Sequence, residues 1–394
     1  MDVKTIQQQA ESMQDTLVNW RRHIHMYPEL SFQEYKTAQF VANTLRDMGL
    51  EVETGVGKTG VVARLGEGSP VVGIRADMDA LPIDEANDVP YKSQNPGVMH
   101  ACGHDAHTAM LLGAAKILSE MPDRPAGEIR FFFQPSEENQ DVEGKSGAMR
   151  MVEEGIMNGV DKVIALHVDS AMESRKVAVN DGWASAAVDS FEATIIGKGC
   201  HGAYPHTGVD PIYLFAQVVN AIQGVRARRV NPTRGAVISI GSVHAGAANN
   251  VIPNEVQITG TIRSFDDETR DELWSGLESA MEVARALGGD YRLKFERGYP
   301  AMYNAAEVSD VIRDVTKTGY GDDGLIDHEV GMGAEDFSYM LQAAPGAMFN
   351  LGAKYDDKDR PHHSPVFNIA EDMLPVGVTV LASAALKLLE NGEA

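Results

Sequence analysis

Short apolar runs that alternate with helical segments limit the folds open to this chain more than any other feature of its sequence. The runs Val71–Ala76, Ile129–Gln134 and Val163–His167 are rich in β-branched or aromatic residues, as expected for strands buried on both faces of a sheet. The segments Thr108–Glu120 and Gly147–Glu154, which lie between these runs, are typical of helices. This order predicts an α/β domain with a largely parallel sheet.

The first 48 residues precede this alternation. Apolar residues recur at roughly helical spacing from Thr5 to Met48, and Pro28 interrupts the series. We therefore expect two helices in this region, one on each side of Pro28.

The middle of the chain has a different order of elements. We predict strand, helix, strand, strand, helix and strand, in this order, at Val188–Ile196, Asp210–Arg226, Ala236–Val243, Glu255–Arg263, Asp266–Leu287 and Tyr291–Glu296. This βαββαβ order is that of the ferredoxin-like arrangement, in which one sheet carries both helices on one face. The α/β pattern then resumes and ends in a C-terminal helix, Leu374–Leu389.

These patterns predict two domains. A chain of 394 residues, 43% of them hydrophobic, is long enough to fill two cores. The βαββαβ segment is self-contained, so we place an inserted domain at 184–295. The larger domain is then discontinuous and comprises 1–183 and 296–394.

The acidic composition excludes several classes of partner. The chain carries 57 Asp and Glu against 34 Lys and Arg, a formal net charge of −23. A field of this sign opposes a general affinity for nucleic acid or for anionic lipid. It also repels anionic substrates, so a bound carboxylate needs a cation close by.

Cellular location and redox state are inferred from the N-terminal segment and the cysteines. The N-terminal segment is polar, and no later run approaches the ~18 apolar residues of a membrane-spanning helix, so we expect a cytoplasmic protein that does not bind membranes. Its two cysteines, Cys102 and Cys200, cannot build a disulfide framework. Because histidines surround Cys102, metal binding or catalysis is the favoured role for its thiol.

A glycine motif near the N-terminus resembles a nucleotide-binding fingerprint. Residues Gly55 to Gly60 fit the pattern G-x-G-x-x-G, but such a site needs a helix directly after the last glycine. The following residues, Val61–Leu65, are typical of a strand. We therefore interpret the motif as a hairpin turn.

Metal-binding side chains are concentrated just before the predicted helix that begins near Thr108. His100, Cys102, His104 and His107 lie within eight residues. Thiolate and imidazole suit zinc and other first-row transition ions, whereas magnesium and calcium prefer oxygen. Each histidine alone could instead cap or line the helix start. His107 is the best candidate for that structural role, and His100 is open between the two.

Two adjacent carboxylates follow the apolar strand that ends at Gln134. Because neighbouring residues at a strand end point in different directions, one of Glu137 and Glu138 can bind metal while the other faces a substrate. An ordinary solvated pair is the alternative, but ligands of open α/β sheets gather at the carboxyl ends of strands.

Two further positions supply imidazoles. His167 ends the predicted strand that starts at Val163, although a histidine there can also be a satisfied core residue. His362 and His363 lie in a loop between Pro361 and Pro365. One of these two histidines can return to the cluster, and the sequence leaves open which.

Nine ordered motifs resemble those of the M20 metallopeptidase superfamily, specifically its amidohydrolase branch of aminoacylases, hippurate hydrolases and auxin-conjugate hydrolases. The resemblance covers essentially the whole chain, and its specificity comes from the order of the motifs. They are Tyr27–Phe32, Arg75–Pro82, Met99–Thr108, Gln134–Glu138, Gly199–His206 with Asp210–Pro211, Asn250–Pro253, Gly260–Arg263, Gly333–Ser338 and His363–Pro365.

The resemblance implies a metal centre and a reaction. It implies two divalent ions (Mn, Zn, Ni or Co) with one ligand shared, and Glu137 as general base and acid in the hydrolysis of N-acyl amino acids. Asp77 and Asp79 are expected behind the ligands, where they hold the histidines in orientation. The metal ligands it implies are Cys102, His104, Glu138, His167 and His363.

The resemblance also gives the insert a role. It implies a lid that forms a homodimer, possibly within a homotetramer, with His201 reaching the neighbouring subunit's active site. Asn250 and Arg263 match positions that handle the substrate's carboxylate. The branch usually has glycine where this chain has Cys200, and cysteine would be strained there if the loop needs a positive φ.

Two other functions compete with this hypothesis. A dipeptidase or aminopeptidase would share the metal cluster but would need a pocket for an α-ammonium group. A non-enzymatic metal- or ligand-binding protein on the same scaffold would be expected to lack a member of the cluster, and this chain has every one.

Overall fold

The computed structural model describes residues 2–392, and they form two compact units. The larger unit contains the chain up to Ala184, then Tyr303–Glu329, and resumes at Asp336. The smaller unit comprises Ser185–Met302 and Val330–Glu335. The sequence-based insert of 184–295 leaves out the last of these segments, which lies with the smaller unit, where the Ala186 N–H donates to the Gly333 carbonyl.

From residue 2 onward, the first part of the larger unit begins with three helices and three strands, after which helices and strands alternate up to the strand Lys162–Asp169. In chain order they are α1 (Val3–Ser12), α2 (Gln14–Met26), α3 (Tyr35–Asp47), β1 (Glu51–Val56), β2 (Gly60–Glu67), β3 (Val71–Asp77), α4 (His104–Ser119), β4 (Gly127–Gln134), α5 (Gly147–Glu153), β5 (Lys162–Asp169), β6 (Val177–Ala178) and β7 (Gly182–Ser185).

The elements of the smaller unit follow the βαββαβ order, with two additional two-residue strands and a short 3-10 helix, Pro205–Thr207. They are β8 (Ala187–Ile196), β9 (Cys200–His201), α6 (Pro211–Arg228), β10 (Ala236–Ala245), β11 (Val251–Ile252), β12 (Glu255–Ser264), α7 (Asp267–Ala286) and β13 (Asp290–Arg297).

The last part of the chain is mainly helical. Its elements are β14 (Met302–Asn304), α8 (Ala306–Tyr320), α9 (Ser338–Ala343), β15 (Gly346–Gly352) and α10 (Leu374–Gly392), with 3-10 turns at Asp322–Gly324 and Glu371–Met373. The short strands β7 and β14 pair with each other.

The N-terminal prediction of two helices was wrong, because the first of them is divided at Met13 into α1 and α2. Ile6 and Ala10 before this break are buried, and so are Leu17 and Ile24 after it. Their apolar spacing continues through the division, so periodicity alone indicates one helix where the backbone forms two.

Seven strands of the larger unit form a mixed sheet in the order β1-β2-β4-β3-β5-β15-β6 within residues 2–392. The four central strands are parallel, whereas β1, β2 and β6 pair antiparallel. The prediction of a largely parallel sheet was therefore right only for its centre. The hairpin interpretation of the glycine motif is confirmed, since Val56 pairs with Gly60 across the turn between β1 and β2.

The core of the larger unit contains two apolar helices, α4 and α10. The C-terminal helical segment Glu371–Gly392 has a mean hydropathy of 1.6 over 18 residues, which is long and apolar enough to cross a membrane by composition. However, 89% of that stretch is buried inside the protein. The apolar surface of this helix therefore packs inside the core of the larger unit.

Glycines let α4 and α10 approach closely. A Cβ added at Gly377 of α10 would lie 2.1 Å from Met110 Sδ on α4. A Cβ added at Gly113 of α4 would lie 2.7 Å from Val378 Cγ2 on α10. Both distances are shorter than van der Waals contact, so any larger residue would push the helices apart.

The smaller unit is an antiparallel sheet with one buried face. Its strand order is β10-β12-β8-β13. Along β8, Phe191, Ala193 and Ile195 are buried while Ser190 and Glu192 are exposed, which is the alternation of a sheet covered on one side. Buried residues of α6 and α7 complete the same core, including Leu214, Val218, Leu273 and Leu277.

A matched pair of glycine substitutions tests the helix packing. We expect Gly377→Ala to lower the free energy of unfolding by about 1–3 kcal/mol, because the added methyl group overpacks the core. Gly224→Ala should raise it by about 0.5–1 kcal/mol, because a Cβ there meets nothing within 4 Å and alanine favours the helix α6. Urea denaturation followed by circular dichroism measures both. Equal stability of Gly377→Ala and the wild type would contradict the close approach of α4 and α10.

Candidate metal centre

The candidate site lies at the carboxyl ends of the parallel strands. Strand β3 ends at Asp77, β4 is followed by Glu137 and Glu138, and His167 lies near the end of β5. Helix α4 begins at His104 beside them. The segment before it needs glycine at position 103, where φ is +101° and a Cβ would lie 2.2 Å from Val168 Cγ2. The fold thus collects ligands from distant stretches of chain at one edge.

The structure brings all five predicted metal ligands together. Three overlapping groups each have their ligand atoms within 4.8 Å of one another. Cys102 belongs to two of these groups, and Glu137 joins the third. The groups are Cys102 with His104 and His167, Cys102 with Glu138 and His363, and His104 with Glu137 and Glu138.

The tautomers of two histidines fit metal binding. His104 Nδ1 lies 2.9 Å from the Asp79 carbonyl oxygen and His167 Nδ1 lies 2.7 Å from the Val168 carbonyl oxygen. A carbonyl only accepts, so both Nδ1 atoms carry a proton, and in the neutral ring each Nε2 atom then presents its lone pair. Among the described residues, the buried Nε2 of His104 has no hydrogen-bond partner. This is the pattern that oriented metal-ligating histidines show.

The electrostatics of the site call for a cation. Burial raises the pKa of the Cys102 thiol well above its usual range, and the charges of Glu138 and Glu137 raise it further. Burial opposes protonation of His104, but the carboxylates of Asp77 and Asp79 outweigh it and raise the pKa of His104 to about 10. Without added positive charge, the site therefore favours protonated groups. A divalent ion satisfies the same carboxylates and permits the thiolate.

Asp77 and Asp79 lie behind these ligands. The Asp79 carboxylate accepts the backbone N–H of Glu137 at 3.0 Å and that of Glu138 at 3.1 Å. Asp77 Oδ1 is 2.6 Å from His107 Nδ1. His107 Nε2 in turn accepts the Val168 N–H at 2.9 Å, so this histidine fixes the end of β5.

His362 and His363 have different surroundings. His363, at φ +58°, lies with its Nε2 3.1 Å from Glu138 Oε1, and its N–H donates to the Ala101 carbonyl. His362 Nε2 instead accepts the Ser170 N–H, and its ring packs against Phe367. Of these two histidines, His363 belongs to one of the groups of potential ligands found among residues 2–392.

His100 belongs to none of the ligand groups. It is 1% exposed, and neither ring nitrogen has a hydrogen-bond partner among the described residues. Burial lowers the pKa of His100 to about 3, so the ring is neutral.

Two buried carboxylates near the site were missed by sequence reasoning. Asp105 stands inside the histidine-rich segment, but its Oδ2 faces Arg21 Nε at 2.7 Å and His25 Nδ1 at 2.8 Å. Glu34 accepts the backbone N–H of Ser136, which directly precedes Glu137. No local pattern indicates either contact, since both join residues far apart in the chain.

The three predicted residues of the smaller unit are not all together. His201 and Asn250 are exposed neighbours, because β9 pairs with β11 so that His201 faces Val251. Arg263 is half-buried near the opposite end of β12, eight residues beyond Glu255, at which β12 begins. At about 3.3 Å per residue, this places Arg263 roughly 26 Å from the end of β12 nearest Asn250.

Known proteins resemble this chain in sequence over most of its length. The model of peptidase family M20/M25/M40 matches residues 73–387. An N-acyl-L-amino acid amidohydrolase of Geobacillus stearothermophilus is 47% identical over 78% of this chain and 83% of its own. Thermostable carboxypeptidase 2 of Saccharolobus solfataricus is 42% identical over 98% of both chains.

A solved structure gives the same result for the fold. The dinuclear metal-binding peptidase of the M20 family from Bacillus subtilis superposes with a TM-score of 0.83 at 32% identity, over 96% of this chain and 99% of that one. The family match over most of the chain, together with relatives that align along nearly all of it, shows that this chain belongs to peptidase family M20/M25/M40.

Proposed function

We propose that this protein is a metal-dependent amidohydrolase that cleaves the amide bond of N-acyl amino acids and releases a carboxylic acid and an amino acid. One observation carries the proposal: a thiol, three imidazoles and a carboxylate converge beside a second glutamate, Glu137. The 47% identity to an N-acyl-L-amino acid amidohydrolase supports the substrate class.

We assign two divalent ions to the site. Cys102, His104, Glu138, His167 and His363 would hold them, with Cys102 shared because it belongs to two of the ligand groups. Thiolate and imidazole suit Zn, Mn, Ni or Co better than Mg or Ca. When bound, the ions supply the positive charge that acidifies a water molecule and polarises the amide carbonyl.

We assign the proton transfers to Glu137. Glu137 is 7% exposed and lies with His104 and Glu138 in one ligand group, while Asp79 accepts its backbone N–H. Glu137 takes a proton from the attacking water and delivers it to the amide nitrogen as the C–N bond breaks. General acid–base catalysis of this kind contributes about 10²–10⁴ in rate.

The substrate's own carboxylate needs a cation in a protein of net charge −23. We assign Arg263 to this role. Its side chain is half-buried and pairs with no carboxylate in the part of the chain that the structure describes. Partial burial strengthens a guanidinium–carboxylate contact because less water screens it.

We further propose that the active enzyme is at least a homodimer and that the smaller unit acts as its lid. His201 would stabilise the oxyanion and Asn250 would bind the substrate, but both belong to the region of the β9–β11 pair, whereas Arg263 lies near the far end of β12. Because one small substrate needs these groups close together, their separation within the smaller unit supports contributions from two copies of the chain. Strand β10 supports pairing, because it is an edge strand whose outer half, including Val243, is exposed.

A cytoplasmic location fits the cysteine chemistry. Cys102 and Cys200 are both free thiols. A reducing compartment keeps the Cys102 thiol available as a ligand.

A substrate panel tests the proposed activity. Protein stripped of metal by a chelator should be inactive, and added Mn, Zn, Co or Ni should restore hydrolysis of N-acetyl and N-benzoyl amino acids. Free dipeptides should react with a kcat/KM at least roughly 10-fold lower, because the site then has to accommodate an unpaired α-ammonium group. Faster hydrolysis of dipeptides would favour a peptidase instead, the activity that the name of the 42% identical carboxypeptidase suggests.

Paired glutamate variants separate base from ligand. We expect Glu137→Gln to lower kcat by about 10²–10⁴-fold while the bound metal per subunit, measured by elemental analysis, stays unchanged. Glu138→Gln should lose both activity and metal, since it removes a negatively charged ligand. Loss of metal from Glu137→Gln alone would mean that the two roles are exchanged.

A mixing experiment tests whether His201 acts across subunits. Neither His201→Ala nor Glu137→Gln protein should be active alone. If His201 serves the partner's site, denaturing and refolding the two together in equal amounts should recover about a quarter of the wild-type activity, because half of the dimers are mixed and one of their two sites is complete. No recovery in dimers shown to be mixed would place His201 in its own subunit's site.

A further inference from the structure

The carboxylate of Glu34 is fully buried at a helix start that it does not cap. Glu34 occupies the N-cap position of α3 with 0% exposure. A carboxylate there ordinarily accepts the first free N–H groups of the helix. Glu29 performs this task instead, since its Oε2 accepts the N–H groups of Lys36 at 2.8 Å and Thr37 at 2.9 Å. The Glu34 side chain therefore points elsewhere.

Glu34 accepts hydrogen bonds from two residues with unusual backbone. Its Oε1 accepts the Ser136 N–H at 2.8 Å and the Phe32 N–H at 2.9 Å, and its Oε2 accepts the Thr59 hydroxyl. Ser136 has φ +46° and Phe32 has φ +58°. L-residues rarely adopt this left-handed region, and they remain there only where their surroundings hold them.

The contact with Ser136 continues into the active site. Three successive N–H groups after β4, those of Ser136, Glu137 and Glu138, donate to buried carboxylates, the first to Glu34 and the others to Asp79. The left-handed turn at Ser136 sets the direction in which the chain leaves the strand. It therefore sets where the two glutamate side chains point.

Glu34 does not need its charge for this contact. Burial and the nearby Asp79 raise the pKa of Glu34 to about 7, so its surroundings disfavour the ionised form. A glutamine is isosteric with glutamate. Its oxygen can accept the Ser136 and Phe32 N–H groups while its amide donates to the Thr59 hydroxyl, which can act as acceptor.

We propose that Glu34 is a positioning residue for catalysis: it holds Ser136 in the left-handed conformation and so aims Glu137 at the substrate and Glu138 at the metal. This inference rests on the proposed roles of Glu137 and Glu138. Glu34 acts through the backbone and touches neither substrate nor metal.

The test compares Glu34→Ala with Glu34→Gln. The alanine variant leaves Ser136 and Phe32 without an acceptor, and we expect kcat to fall at least about 10-fold with KM within about 3-fold. Affinity for added Zn should weaken about 10-fold, measured by competition with a chelator. Hydrogen exchange of the peptide that contains residues 134–138, measured on metal-free protein by mass spectrometry, should be faster. The glutamine variant should restore all three properties to within about 3-fold of the wild type.

Glu29→Ala is the matched control. This variant removes a helix cap from the same loop, so its melting temperature should fall, while kcat, zinc affinity and the exchange of residues 134–138 stay unchanged. If Glu34→Ala does not fold, Thr59→Val replaces it, since this variant removes only the hydroxyl that anchors Glu34 and should lower kcat by about 3-fold or more.

Two results would overturn the inference. One is a folded Glu34→Ala protein with wild-type kcat, zinc affinity and exchange; the other is a glutamine variant as impaired as the alanine variant. Failure of the proposed function is distinguishable, because wild-type protein would then not hydrolyse N-acyl amino acids, whereas zinc affinity and exchange would still respond to Glu34→Ala.

Discussion

Asp79 connects the two halves of the metal centre. Its carbonyl oxygen lies 2.9 Å from Nδ1 of His104, the first residue of α4, and its carboxylate accepts the N–H groups of Glu137 and Glu138, which follow β4. Asp79 therefore holds the histidine and the glutamates in position relative to each other, although 33 residues separate His104 from Glu137 along the chain. A movement of either half relative to Asp79 would cost hydrogen bonds that are buried and strong.

Several buried carboxylates, including that of Asp79, determine the electrostatic character of the site. Asp77 and Asp79 are 0% and 1% exposed, and Glu137 is 7% exposed. Burying several carboxylates together is unfavourable unless cations or hydrogen-bond donors neutralise them. Arg75 compensates part of this charge, with its Nη1 2.7 Å from Asp77 Oδ2. Backbone N–H groups and His107 compensate a further part, and bound cations would add to it, so metal binding is expected to stabilise this region.

Much of the fold could be predicted from local pattern, and the failures have physical causes. Buried strands such as Ile129–Gln134 and helices with a full apolar face can be predicted, because the spacing of their apolar side chains is a local property of the sequence. The division at Met13 is not, since the apolar spacing continues across it. The antiparallel direction of the outer strands could not be predicted, because it depends on which strands become neighbours. The composition of a single strand does not contain that information.

The candidate site could be predicted where several potential metal ligands lie close together in the sequence, as they do from His100 to His107. The residues that support it are harder to find. Glu34 and Asp105 are ordinary acidic residues in an acidic chain, and only their distant contacts, with Ser136 and with Arg21 and His25, distinguish them. His362 and His363 likewise cannot be distinguished by sequence, because they are the same residue type and differ only in the direction in which the backbone points their rings.

Main-chain carbonyl groups orient both His104 and His167, and the Asp79 carboxylate also contacts Nδ1 of His104. Every amino acid carries such a carbonyl, so substitution of the side chain at position 79 or 168 leaves the acceptor in place. The path of the backbone thus contributes to the orientation of both imidazoles. The orientation of the His167 ring should therefore survive changes of the Val168 side chain that leave the backbone in place.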